Sequence, residues 1–497
     1  MGGIHFLDIV VLFVYLIVIV IIGVISSKSV KNTGDFFIGG RRFGKFMTMM
    51  FNFGTGTHSD QAVGVISKCY QVGLAGIWYQ WLWLLVNPFY WLIGPVLRRL
   101  RIVTTADYFA KRYNKSVAAL YALVAMVILM LNIGTMLLGS GRVIEAVSGQ
   151  NISFAVAVLG MTALFLIYGI AGGLIAAFWT DFLQGILTII LSFILLPFAI
   201  AGVGGFTGLH EKLSGGPNDM FSLIAPGEIT IFFILITVIN AMLGWALQPQ
   251  AILMAAACRT EMDSRIGVTY GNYIKRFCTV AWAFTGLCCI VLFPSLENPD
   301  HAFGVAARHL LPTGLVGLLI ASVLASVQSS CDALMVAASG IFTRNVYQAY
   351  ISKEKSEKHY LFVGRATSFF IVAGSLAFAF YLPGVIAALE LFWKLPALMG
   401  IPFWIGIFWR RANSTAAWVS FLLAFAAFFV CEMDLFIGYE VSLPWQMVIY
   451  ITAGLTGAVI AGLVTKPHPK EKLDLFYNDL LKPVDVVESL TSDTMTA

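Results

Sequence analysis

Thr313–Tyr347 reads TGLVGLLIASVLASVQSSCDALMVAASGIFTRNVY. It begins as an apolar run long enough to cross a bilayer, then sets Ser322, Ser326, Ser329, Ser330 and Asp332 at depths where lipid is expected. At about 100° per residue these five fall within an arc of about 160° on one helix face. Hydrocarbon offers no partner to a hydroxyl or a carboxylate, so this face must look into protein or a wet cavity. The neutral hydroxyls of Ser329 and Ser330, with the backbone carbonyl of Ser326 a turn below, suit a hard, weakly charged cation such as sodium. Small residues and hydroxyls also let membrane helices pack closely, and that reading stays open for the serines. Asp332 beside them weighs against it.

Composition agrees with a membrane setting. Of 497 residues, 59% are hydrophobic and 11% charged, against about 25% charged in soluble domains. At roughly 20 residues per crossing about a dozen helices fit. The long uninterrupted apolar runs exclude the alternating strands of a membrane barrel. The expected class is an all-α polytopic membrane protein with about 13 spans. These lie near 8–26, 46–69, 72–97, 117–141, 152–172, 176–203, 229–256, 272–296, 313–342, 361–381, 385–409, 413–431 and 445–465. MGGIH has no basic stretch before the first span, so a retained helix is expected rather than a cleaved signal. The seven cysteines show no C-x-x-C and no metal-ligand spacing, and they read as small buried hydrophobes.

Charge sets the orientation. With the N-terminus outside, 26 of the 31 Lys and Arg residues fall in inner segments; the exceptions are Lys68, Arg142, Lys212, Arg308 and Lys394. The expected location is a cell inner membrane or plasma membrane, with the C-terminus cytoplasmic. The net charge of +5 therefore follows topology and carries no nucleic-acid signal. Residues 1–466 form the transmembrane domain, and 467–497 are a polar tail, peripheral or disordered, with no readable motif.

Two spans are interrupted. Asn52–Gly64, NFGTGTHSDQAVG, places three glycines, a histidine and an aspartate inside a span. A central Asp costs about 2.5–3.5 kcal/mol on insertion scales, so this reads as a helix unwound near the midplane. Asn240–Gln250, NAMLGWALQPQ, is interrupted in the same manner. Each opens a run of five helices, 46–203 and 229–409, which points to a five-plus-five inverted repeat around a central site. Two unrelated kinks are the competing reading. Asp181 reads equally as an interfacial cap or a functional carboxylate. Glu390 and Lys394, at i,i+4, are expected to pair with each other.

The chain resembles the sodium/solute symporter family over roughly residues 8–465. The resemblance rests on DFFIGGRRFGKF (35–46), GLIAAFWTDFLQG (173–185), LGWALQPQAI (243–252) and LASVQSSCDALMVAASGIFTRNVYQ (324–348). It implies a fold of the leucine-transporter type, with one extra helix before the repeat and two after it. It also implies a sodium site made by the carbonyls of His58, Gln61 and Ser326 and the hydroxyls of Ser329 and Ser330. Asp60 matches an aspartate of the proline branch, and Asp181 an acidic residue tied to a second sodium site in some members. Asp332 and Ala333 stand where that second site usually has hydroxyls, so Asp181 and Asp332 are candidates only. Asn345 stands where an aspartate is usual. Substrate candidates are Asn52, Thr55, Thr57, Asp60, Gln61, Asn132, Asn240, Trp245, Gln248 and Glu390.

The implied function is sodium-coupled import of a small polar organic solute, an amino acid, sugar or sugar acid, by alternating access. Co-transported sodium is expected, with no organic cofactor, no nucleic-acid partner and a monomer in the lipid bilayer. A membrane sensor on the same fold would need an attached signalling module, which the short tail lacks. A sodium-dependent channel is disfavoured by two interrupted helices enclosing a site. An enzyme is disfavoured because no Ser-His-Asp, HExxH or paired catalytic carboxylates stand out.

Overall fold

Backbone groups inside hydrocarbon must pair within their own segment, so a chain this apolar folds as helices. The computed structural model describes residues 5–27, 44–102, 104–214, 219–433 and 441–484. The side chains of residues 20, 22–27, 165, 167–182, 250, 253, 332 and 336 lie outside that description. The described residues are helical almost throughout, with one isolated bridge, Ala225–Ile229.

Helix α1 (Phe6–Ser27) precedes a pair separated by a break, α2 (Lys45–Gly56) and α3 (Ser59–Val72). Then come α4 (Trp78–Arg99), α5 (Thr105–Arg112), α6 (Lys115–Val147), α7 (Phe154–Phe193), α8 (Leu196–Val203) and α9 (Gly205–Leu213). A second broken pair, α10 (Ile231–Trp245) and α11 (Pro249–Ala257), leads to α12 (Glu261–Leu292), α13 (Ala302–Leu310) and α14 (Leu315–Ile341). After α14 the chain continues as a π-helix, Phe342–Ile351. The remaining helices are α15 (Glu357–Tyr381), α16 (Val385–Phe408), α17 (Ser414–Glu432), α18 (Leu443–Val464) and α19 (Lys470–Leu481).

Among the described residues eight helical segments are long and apolar enough to span a membrane, and three shorter apolar helices accompany them. Two differences from the expected spans stand out. Helical backbone runs through Phe154–Phe193 without the turn expected near residue 173. Also, α12 begins at Glu261 rather than near 272, because Thr260 and Asp263 close a reciprocal capping box. Lys275 and Arg276, counted above with the inner-side charges at the edge of the expected 272–296 span, therefore sit about 21 Å into a helix.

Close approach places them. A Cβ on Gly271 would stand 2.7 Å from the Met49 carbonyl, and one on Gly267 would stand 2.2 Å from Thr48 Cγ2. This GxxxG spacing lets α12 lie directly against α2. At one face, the buried Asp8 of α1 accepts hydrogen bonds from Gly314 N (2.7 Å) and Gly317 N (2.8 Å), capping the start of α14. At the opposite face the described part of the tail, as far as Val484, packs on other helices, in keeping with the peripheral alternative. Helix α19 buries Leu473 and Phe476 and pairs Lys111 with Asp479 at 2.7 Å. Val484 N donates to Glu261 Oε1 at 2.7 Å, and Glu261 also pairs with Arg99 at 2.8 Å. Beside the tail, Asn345 ties the π-helical end of α14 to α5. Its Nδ2 donates to Asp107 Oδ1 at 2.8 Å and its Oδ1 accepts from Thr104 Oγ1 at 3.0 Å.

An aspartate at 345 would set a carboxylate against Asp107 and lose the donated bond. Asn345→Asp is expected to lower stability by about 1–3 kcal/mol, read as a lower thermal midpoint; an unchanged midpoint would contradict this account.

The docked tail should also respond to pH. Burial, with Lys472 and Arg112 nearby, lowers the His468 pKa from its ordinary 6.5 to about 4. The undocked imidazole therefore binds a proton more tightly than the docked one. Docking is complete above about pH 6.5 and weakens as pH falls towards 4. Hydrogen exchange of the Lys470–Leu481 amides, corrected for intrinsic rates, should accelerate at pH 5 relative to pH 7.5.

Candidate functional site

The last carbonyls of a helix lack intrahelical donors, and a helix that stops in mid-membrane must find other partners for them. Helix α2 stops at Gly56. Thr57 (φ −128°, ψ 112°) and His58 (φ −140°, ψ 167°) are extended, and α3 restarts at Ser59. The freed Thr55 carbonyl accepts from Ser330 Oγ at 3.3 Å. The Gly56 carbonyl accepts from Gln61 Nε2 at 3.2 Å and from the Lys275 ammonium. The second break lies at Ala246–Gln248, where Pro249 opens α11 without needing an N–H partner. There the Leu247 carbonyl accepts from Tyr121 OH at 2.7 Å.

Between the breaks lies a cavity of about 90 Å³. A single water needs roughly 10–15 Å³ on this measure, so the space takes several waters or the polar part of a small solute. Asn52, Thr55, Gly56, His58, Asp60 and Gln61 line it from the first break, and Trp245, Gln248, Ala251 and Met254 from the second. Gln80, Trp83 and Tyr90 of α4, Asn132 and Thr135 of α6, and Trp393 of α16 add polar and aromatic walls. Tyr90 packs on Trp245 with ring centroids 4.5 Å apart. His58 Nδ1 and Asp60 Oδ1 lie 2.5 Å apart, and both residues are buried. Gln61 Oε1 and Thr57 Oγ1 are buried without a partner among the described residues.

The serine face of α14 meets the first break, as its sequence pattern requires. Ser59 N, at the start of α3, donates to Ser326 Oγ at 3.2 Å, while Ser330 reaches Thr55 as above. Ser322, Ser326, Ser329 and Ser330 are all buried. Among the described residues no cluster of three or more His, Cys, Asp or Glu side chains is placed to hold a metal. The oxygens brought together here are uncharged. The side chains of Asp181 and Asp332 lie outside the described residues.

Among the substrate candidates, Asn52, Thr55, Asp60, Gln61, Asn132, Trp245 and Gln248 line the cavity. Thr57 sits in the break itself. Asn240 does not line the cavity: its Nδ2 donates to Trp393 O at 2.9 Å and its Oδ1 accepts from Tyr450 OH at 2.6 Å, bolting α10 to α16 and α18. Glu390 also stays outside the lining, and it does not pair with Lys394. It accepts from Tyr79 OH, while Lys394 donates to Glu432 and to Gln446 Oε1 (3.2 Å). Each found a partner on another helix, which an i,i+4 spacing cannot foresee. Sequence reasoning missed Lys275 and Arg276 as lining residues. The signal that would have found them is TEMD at 260–263, the capping box that moves the start of α12 outward.

A helical membrane protein that folds two interrupted helices around a buried polar cavity belongs to the class of secondary carriers. More narrowly, the chain belongs to the sodium:solute symporter family, whose model matches residues 36–424. It is 23% identical to the sodium/glucose cotransporter of Vibrio parahaemolyticus, over 84% of this chain and 83% of that protein. It is 23% identical to the osmoregulated proline transporter OpuE of Bacillus subtilis, over 93% and 96%. The fold is similar to that of a Na+-coupled sialic acid symporter solved substrate-bound and outward-open. The TM-score there is 0.81 at 21% identity, covering 94% of this chain and 99% of that one.

Tyr79→Phe removes the hydroxyl donor to the Glu390 carboxylate. The expected loss is about 1–3 kcal/mol, measured as a lower thermal midpoint or denaturation midpoint.

Proposed function

We propose that the protein imports a small polar organic solute together with sodium, by alternating access around the cavity between the two breaks. The observation that carries this is the contact of the α14 serines with the first break. A sodium ion there would take the carbonyls of His58, Gln61 and Ser326 and the hydroxyls of Ser329 and Ser330, and so tie α2 and α3 to α14. Neutral oxygens suit a monovalent hard cation, which a cluster of carboxylates would hold too tightly to release. Asp181 and Asp332 stay candidates for a second cation.

The two broken pairs, α2–α3 and α10–α11, each open one of the runs 46–203 and 229–409, which supports a five-plus-five inverted repeat. The basic ends of α4 and α5 and the α16–α17 turn gather at the face where α19 docks, through Arg99, Lys111 and Arg410. That supports a cytoplasmic C-terminus, with Asp8 and the N-terminus on the outer face. The driving force is adequate. Each net charge moved at 100 mV gains about 2.3 kcal/mol, and a tenfold sodium gradient adds about 1.4, enough for roughly 500-fold accumulation.

The test is uptake in proteoliposomes of radiolabelled proline, glucose and N-acetylneuraminate, with inward sodium or choline gradients. Sodium-stimulated uptake of one of these is expected in the wild type and is abolished in the Ser329→Ala/Ser330→Ala double variant, which still folds with a midpoint lowered by loss of the Ser330–Thr55 hydrogen bond. Equal sodium stimulation in a folded double variant would sink the site assignment.

A further inference from the structure

We propose that the cavity is built for a solute carrying one net negative charge, a monocarboxylate such as a sugar acid, with Arg276 as the specificity-determining residue beside Lys275. This deepens the symporter reading and rests on it.

Helix α12 delivers two adjacent cations to the cavity wall, and among the described residues their acceptors are neutral. Arg276 is 3% exposed. Its Nη1 donates to the carbonyl and side-chain oxygens of Gln80, the latter at 3.0 Å, and its Nη2 donates to Asn272 Oδ1 at 3.1 Å. Its Nε is buried without a partner. The Lys275 ammonium has three donors, and its hydrogen bond among the described residues goes to the Gly56 carbonyl. No carboxylate among the described residues pairs with either. Asp60, the one acid of the lining, is engaged by His58. Glu390 is engaged by Tyr79 outside the lining.

Among the described residues of the lining, Lys275 and Arg276 stand against one carboxylate, Asp60, an excess of one positive charge. Charged side chains are almost never fully buried unless paired, and an uncompensated buried ion costs several kcal/mol. A monoanionic solute removes that excess; a dianion overshoots it. Arg276 Nε and the remaining N–H groups of Lys275 are donors left over, and each can serve a carboxylate oxygen. A zwitterionic amino acid brings an ammonium that needs an acid of its own, and the acid of this wall is taken. A neutral sugar leaves the excess charge standing. The rest of the lining suits a hydroxyl-bearing body: the unpartnered Gln61 Oε1, the Asn132 amide, and the ring surfaces of Trp245 and Tyr90.

The full-length protein in lipid nanodiscs is heated with matched solutes, each in sodium and in choline. The pairs are N-acetylneuraminate with N-acetylmannosamine, gluconate with glucose, and lactate with lactamide; proline serves as the zwitterion. In sodium, the acid of at least one pair raises the thermal midpoint, whereas its neutral partner and proline do not. Arg276→Gln weakens binding of that acid about 10- to 100-fold, the cost of a lost hydrogen bond to a charged group. Arg276→Lys, which keeps the charge, retains the preference for the acid. If sodium stabilises the protein but no acid exceeds its neutral partner, or proline alone responds, the anion assignment is overturned and the symporter reading stands. An acid affinity unchanged in Arg276→Gln overturns the role of Arg276. If neither sodium nor any solute in sodium shifts the midpoint, the symporter reading itself fails. Should Arg276→Gln not fold, the wild-type pairs still decide.

Discussion

A carbonyl released in the middle of a membrane has no water to accept from, and the structure is arranged around that constraint. Stopping α2 at Gly56 frees the carbonyls of Thr55 and Gly56. Their partners come from three elements: Ser330 of α14, Gln61 of α3 and Lys275 of α12. Each partner must be close, so each helix must be close, and small residues permit it. Gly267 and Gly271 let α12 lie on α2, and the serines of α14 bring it to the first break. The break that creates the site is thus also what specifies the packing of the helices around it.

That arrangement couples the site to its surroundings. A break stabilised by side chains from separate helices is stable only while those helices keep their places, which is the physical requirement for a site that opens and closes. The second break has the same character, with Tyr121 of α6 holding the Leu247 carbonyl. At the two faces, ion pairs bridge elements. At one face Lys68 meets Glu228 at 2.5 Å, with its ammonium 5.6 Å from the centroid of the Tyr79 ring. At the other, Arg99 meets Glu261, with the tail laid across it. The Lys68–Glu228 pair leaves its carboxylate half in solvent and contributes little stability, whereas Arg99 grips both oxygens of the buried Glu261.

Much of this was legible in particular residues. Glycines and amides at 52–64 and the QP at 248–249 announced both breaks, because these residues weaken a helix whatever surrounds them. The one-sided serines of α14 announced a face that lipid does not cover. What was misread had partners elsewhere in the chain. Glu390 and Lys394 are neighbours on one helix, yet Tyr79 and Glu432 claimed them. Asn240 looked like a ligand and proved to be a bolt between α10, α16 and α18. Lys275 and Arg276 were counted with the inner-side charges because basic residues usually mark the inner side of a membrane, and the capping box at Thr260 went unread. The tail carried no motif, yet buries Leu473 and Phe476 against the basic ends of other helices.

The amino-acid sequence by itself determined that this chain crosses a membrane many times, where two of its helices break, and which face of a third must stay away from lipid. Those properties follow from hydropathy, periodicity and the backbone preferences of single residues, all of which act over a few turns. Only the tertiary structure decided which carbonyl each polar side chain reaches, and that two cations stand in the cavity wall with no carboxylate paired to them among the described residues. Such pairings join residues hundreds of positions apart, and hydrogen-bond energy falls away within an ångström or so of ideal distance, so helix packing alone selects among them.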